Sequence, residues 1–145
     1  VIVKMKALVR EKDTCVLATV HDDQPHCSLM SYVTDRDCTR LYMVTYRETK
    51  KFHNLAGNPK VSLLIDTREE GDGANRGAVK ALTVSGTFEP IVDPGERLEA
   101  RNSLLARHPH LKVFLDDPAA EVFAVRIRTF QLLDGITDSS FVAVD

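Results

Sequence analysis

This 145-residue chain has no tryptophan, three cysteines, seven glycines and six prolines. The three cysteines form no Cys-x-x-Cys pair, and any disulfide scheme leaves one of them over. Cys15 and Cys27 stand in strand-like apolar runs, where a thiol serves as a small buried hydrophobe, and the expected compartment is the reducing cytoplasm. Charge of one sign is also scarce, because 19 Lys and Arg oppose 21 Asp and Glu, for a formal net charge of −2. That balance offers no global attraction to nucleic acid or to an anionic membrane, so any anion site must be local. No apolar run approaches the roughly 20 residues that cross a bilayer, and no signal-peptide pattern opens the chain. Hydrophobic residues at 43% suit a globular domain, and the whole length, 1–145, reads as one domain.

Periodicity divides the chain simply. Ile2, Met5, Leu8 and Val9 share one face of a helix running to about Lys12. Strands are expected at Cys15–Val20, His26–Thr34, Leu41–Thr45, Val61–Thr67, Ala78–Ile91 with a bend near Gly86, and Glu121–Leu133. Ser140–Val144 reads as a last short edge strand. A helix follows Asp93-Pro94-Gly95 and is expected to bury Leu98, Leu104 and Leu105, and His108-Pro109 breaks it. Four strands separated by short turns argue for an antiparallel sheet, and alternation alone leaves barrel and sandwich both open.

Several motifs carry less than they suggest. Gly71-Asp72-Gly73 follows an apolar strand, but a dinucleotide fingerprint needs a helix next, and Val79–Val84 is a strand. His108-Pro109-His110 lacks the cysteines or clustered carboxylates of a metal site, and no metal is expected. His21 and His26 bracket a turn and should be exposed. Arg126 and Arg128 alternate along the last long strand as its solvent side. No Ser-His-Asp set or carboxylate pair stands out, and no catalytic residue is assigned.

The informative stretch runs from Thr45 to Asp66. A strand ends near Thr45, a polar turn follows, and a short helix opens with Thr49-Lys50-Lys51. It stops at Gly57-Asn58-Pro59, and Val61-Ser62-Leu63-Leu64 begins the next strand. An opening helix offers unpaired N–H groups and partial positive charge, and the hydroxyl and two lysines make the position suitable for a phosphate monoester.

This order, from Leu8 to Phe130, resembles the pyridoxamine 5′-phosphate oxidase-like flavoproteins. The resemblance implies a mainly β fold, a six-stranded antiparallel split β-barrel with short helices. It implies noncovalent FMN between the subunits of a homodimer, and two-electron chemistry on an unidentified small molecule. In family terms, Thr49, Lys50 and Lys51 match the phosphate-contacting positions and Thr45 a position beside the flavin ring. His53 falls where the family often has histidine and receives no proton-transfer role. The strand Gln24–Tyr32 matches the one whose backbone lies along the ring edge, which makes Met30, Ser31 and Tyr32 neighbours of the ring. Backbone N–H groups suit that task because they do not titrate.

Two departures matter. Ser28 and Val33 replace the arginine and lysine of true pyridoxamine phosphate oxidases, and no Arg, Lys or His follows Arg128. A second phosphate above the ring would lack a fixed cation, so efficient oxidation of pyridoxamine 5′-phosphate is not expected. Dimerisation was also expected to use Phe123, Val125 and Ile127 as an exposed strand face. Two other classes stand beside the flavoenzyme: a haem-binding or haem-degrading split barrel, and a flavin-binding module without turnover.

Overall fold

The computed structural model describes residues 1–70 and 78–144. A helix, α1 (Ile2–Glu11), buries Met5, Leu8 and Val9 along the face expected of it. Next come β1 (Thr14–His21) and β2 (Gln24–Ser31), joined in register from His21 opposite Gln24 to Thr14 opposite Ser31. Their two-residue turn, Asp22-Asp23, has φ of 50° and 61°, the left-handed pair that matches the twist of a tight hairpin. Then follow β3 (Val33–Thr34), β4 (Arg40–Tyr46), α2 (Lys50–Gly57), β5 (Lys60–Asp66) and β6 (Lys80–Pro90). The Gly-rich loop expected between the last two lies, from residue 71 to 77, outside the described residues. The chain continues through α3 (Pro94–Arg107), α4 (Lys112–Asp116), β7 (Ala120–Asp134) and β8 (Asp138–Ala143).

All pairings are antiparallel, in the order β2-β1-β5-β6-β7-β4-β3, with β8 also on β7. The edge of β7 is shared: its first part carries β4 and its last part β8. The outermost strands, β2 and β3, are consecutive in the chain with only Tyr32 between them. The sheet therefore curls until the chain itself bridges its two ends, which is a split barrel. Tyr32 is the hinge. Its N–H donates to Asp13 O at 2.9 Å and its hydroxyl to Val9 O at 2.7 Å.

The described residues hold eight strands where six barrel strands and a last edge strand were expected. The single strand expected over His26–Thr34 is two, because the chain leaves β1 at Ser31 and joins β4 at Val33. The expected last edge strand is present as β8. The bend near Gly86 is a register shift between Ser85 and Gly86. A Cβ on Gly86 would lie 2.6 Å from Val125 Cγ1 and 2.7 Å from the Arg126 carbonyl oxygen.

Two clusters form the core. The larger fills the barrel with Met5, Leu17, Tyr32, Met43, Ile65, Phe123 and Phe130 among others. The second seats α3 and α4 on the outside of β4 and β7, through Val44, Ile91, Ala100, Leu104, Leu115, Val122 and Ala124. The first half of β7 is thus buried on both faces, which corrects one expectation. Phe123, Val125 and Ile127 are no exposed interface face; they are 0%, 0% and 3% exposed inside the barrel. Leu98 is likewise on the solvent side of α3, at 57% exposure, because Ala100 and Leu104 face the sheet. Cys27 is exposed rather than buried, since β2 turns that position away from the interior, whereas Cys15 is buried.

Candidate functional site

Sequence order brings Thr45, Thr49, Lys50 and Lys51 together, and the fold keeps them so. Thr45 ends the inward-facing series of β4 after Leu41 and Met43 and is 2% exposed. The turn behind it closes with Thr49 N–H on Tyr46 O at 3.3 Å. Thr49 is the N-cap of α2: its Oγ1 accepts from Phe52 N–H at 3.1 Å and donates to Tyr46 O at 2.9 Å. The Thr45 hydroxyl lies 3.3 Å from Thr49 Oγ1. Thr49 is therefore occupied in opening the helix at this point, and its contribution to a ligand is to aim the first N–H groups of α2.

The two lysines differ. Lys50 is exposed, whereas Lys51 is half-buried against the barrel end. Burial holds the Lys51 ammonium below its ordinary value. No carboxylate offsets that burial: among the ion pairs of the described residues, none includes Lys50 or Lys51. The same end of the barrel is closed from below by Asn54 of α2, whose Nδ2 donates to the buried Thr19 Oγ1 at 3.2 Å. Beneath α2, Phe52 meets Phe88 edge-on at 6.1 Å, and Phe88 meets Phe123 at 5.5 Å. An anion at the start of α2 would meet a rigid floor, helix N–H groups and one desolvated cation.

The side chains at the end of the expected ring strand divide between interior and surface. Met30 and Tyr32 are 5% and 1% exposed, and both belong to the barrel interior. Burial raises the Tyr32 phenol, and its hydroxyl is held by Val9. Their side chains are core. What this segment offers a ligand is the half-exposed Ser31 at the end of β2, because the Tyr32 N–H donates to Asp13 O and the Tyr32 carbonyl meets His108 Nε2. Alternation places His26 and Ser28 on the same side of β2 as Met30, both half-buried, with His26 opposite Thr19. His26, expected to be exposed, is half-buried, and Ser28, which stands where true pyridoxamine phosphate oxidases carry a cation, shares its face; the pairing of Met30 with buried Cys15 identifies that face.

The remaining expected residues lie elsewhere. His53 is exposed on α2. His108 is buried, with Nε2 2.9 Å from Tyr32 O, as the residue that ends α3. Arg126 Nε donates to Glu89 at 2.8 Å and Arg128 Nε to Thr87 Oγ1 at 3.1 Å, so both are tied to β6. A concavity of about 480 Å³ is lined by Arg10, Lys12, Tyr32, Thr34, Ser103 and Arg107. Its cations hold α1 in place: Lys12 pairs with Glu69 and Glu70, and Arg107 donates to the carbonyls of Arg10 and Glu11.

The profile of the pyridoxamine 5′-phosphate oxidase family matches residues 3–134. No curated protein sequence matches the chain. Among solved structures, a haem-binding protein from Mycobacterium smegmatis superposes with a TM-score of 0.84 at 18% identity, over 97% of this chain and 56% of that one. The chain thus spans little more than half of that protein. A FAD-binding protein from Mesorhizobium loti gives 0.72 at 19% identity, over 90% and 91%. General stress protein 26 from Bacillus anthracis gives 0.71 at 21%, over 97% of both chains. These likenesses share the fold, and their names cover flavin and haem alike. With the split barrel, the capped helix after β4 and a match over most of its length, the chain belongs to the pyridoxamine 5′-phosphate oxidase family.

Proposed function

We propose that this chain is an FMN-binding flavoprotein that holds the cofactor noncovalently as a homodimer and acts as an oxidoreductase on a small molecule. The observation that carries this reading is Lys51, a half-buried ammonium at the start of α2 without an anionic partner among the described residues. A phosphate monoester supplies the missing charge, and the first N–H groups of α2 supply its hydrogen bonds. Thr45 and Thr49 hold the helix start, Lys51 contacts the phosphate from the barrel side, and Lys50 from the solvent side. The free edge of β2 presents backbone groups to the ring. Flavin supplies the two-electron chemistry, and the protein binds, orients and partly excludes water.

The test compares FMN with riboflavin by fluorescence titration. A phosphate-specific cradle is worth about 2–4 kcal/mol, roughly 30- to 1000-fold in affinity. Equal affinities for the two flavins would remove the cradle. FAD belongs in the same titration, because a pyrophosphate can use the same helix start. A second reading, haem binding, draws on the fold shared with the haem-binding protein of M. smegmatis. A Soret band on reconstitution, with no flavin binding, would favour it. Bleaching of the flavin-loaded protein by NADH or NADPH separates an enzyme from a carrier.

A further inference from the structure

The inward side of β2 is sealed at one end of the strand and open at the other. Met30 is buried opposite Cys15, Ser28 and His26 are half-buried opposite Leu17 and Thr19, and Gln24 is exposed opposite His21. The gradient arises because β2 is an edge strand, paired with β1 on one side and facing β4 across the split on the other. Helix α2 lies over the same end of the barrel and rests on the inward positions of β1. Asn54 Nδ2 donates to Thr19 Oγ1 at 3.2 Å, and a Cβ on Gly57 would lie 2.7 Å from the His21 ring. Lys51 precedes Asn54 by three residues and shares its inward stripe on α2. A short path therefore leads from Lys51 to Asn54, across a hydrogen bond to Thr19, and across one strand pair to His26. The helical step and the strand step are each about 5 Å between Cβ atoms.

Thr19 and Asn54 satisfy each other, whereas among the described residues no hydrogen bond or ion pair reaches the His26 ring. A half-buried imidazole has lost part of its water, and its N–H gains from an acceptor. Lys51, the first N–H groups of α2 and His26 are thus donors around one opening, and no ion pair of the described residues includes Lys51 or His26.

We infer that His26 is the specificity-determining contact of the phosphate site, holding the third oxygen of a terminal phosphate and so selecting FMN over FAD. The inference rests on the flavin reading above and adds the residue that sets its ligand. A phosphate monoester carries three terminal oxygens. Lys51 takes one, the N–H groups of α2 take another, and the imidazole N–H donates to the third from the β2 side. In FAD that third oxygen bridges to the adenylate phosphate. It then carries no charge of its own, and the rest of the dinucleotide has to leave through the space between His26 and α2. Riboflavin gains nothing from the contact.

The experiment titrates FMN, FAD and riboflavin into the full chain by flavin fluorescence. Wild type should prefer FMN to FAD by about tenfold or more. His26→Val removes the donor and suits a strand position. It should lower FMN affinity about tenfold while FAD and riboflavin stay within about twofold. His26→Gln should recover most of the loss, because its amide N–H can stand where the imidazole N–H did. His53→Gln, on the exposed side of α2, should match wild type with all three ligands. A wild type that binds FMN no better than riboflavin would remove the whole cradle, His26 included. A wild type that prefers FMN to riboflavin, with an FMN-to-FAD ratio that His26→Val leaves unchanged, would keep the cradle and overturn the role of His26. A second measurement needs no substitution. FMN, but not riboflavin, should slow carbethoxylation of His26 by diethyl pyrocarbonate, read on its peptide by mass spectrometry. Equal labelling with the two flavins would overturn the contact even if His26→Val failed to fold.

Discussion

At the residue scale the two adjacent lysines differ in what surrounds them. Both begin α2, yet only Lys51 is desolvated, and a desolvated cation gains most from an anion. Lys51→Ala should therefore weaken FMN binding by about 10- to 100-fold, the worth of a charge-assisted hydrogen bond. Lys50→Ala should cost only a few-fold, and flavin fluorescence titration reads both. The pH dependence follows from the same asymmetry. Burial lowers the Lys51 pKa in the free protein, and a bound phosphate raises it again. Between those two values binding takes up a proton, so FMN affinity falls as pH rises through the alkaline range. Titration of wild type and Lys51→Met from pH 7 to 10 checks this, because the variant should lose the alkaline decline. Lys51 also lowers stability at neutral pH without a ligand, since the fold holds a charge that burial disfavours. Saturating phosphate ligand should thus raise the melting temperature more for wild type than for the variant.

At the scale of elements, α2 has eight residues and depends on its cap. An isolated helix of that length is marginal, and the Thr49 hydroxyl answers one of its orphan N–H groups while fixing the turn to Tyr46. Thr49→Ala should cost about 1 kcal/mol in urea unfolding, and Thr49→Ser should recover most of it. Flavin affinity should fall and recover in parallel, because the cap orients the N–H groups of the cradle. The bulge between β6 and β7 is the second sensitive element. A Cβ on Gly86 meets the Arg126 backbone at 2.7 Å, and backbone cannot rotate away as a side chain can. Gly86→Ala should destabilise by about 2–3 kcal/mol.

The whole molecule is held together across its two cores by charge as well as by β7. Arg40 of β4 lies between Glu89 of β6, at 3.3 Å, and Glu96 of α3, at 2.6 Å, with its side chain only 15% exposed. It ties the helical layer to the barrel where β4 and β7 are shared. Arg40→Ala leaves Glu96, one-third exposed, without that partner and should cost about 1–2 kcal/mol by thermal or urea unfolding. Arg40→Ala with Glu96→Gln should lose less than the sum of the two single changes, because each removes the same pair.

The sequence by itself determined whatever is local. The amphipathic face of α1, the strand after Asn58-Pro59, the bend at Gly86 and the order Thr45–Lys51 at the start of α2 all lie within one or two turns of chain. Hydrophobic period and capping chemistry act over that same distance. What only the tertiary structure decided depends on pairing between distant segments. A strand's two faces exchange with a one-residue shift of register, so which of Met30, Ser31 and Tyr32 face the core was set by Cys15 opposite Met30 and by Asp13 holding Tyr32. The same pairing exposed Cys27 and turned His26 and Ser28 inward. The burial of Phe123, Val125 and Ile127 required β4 and β6 on either side of β7. The lack of an ion pair to Lys51 among the described residues depends on where distant side chains lie, since a missing counter-ion has no signature in the sequence around it.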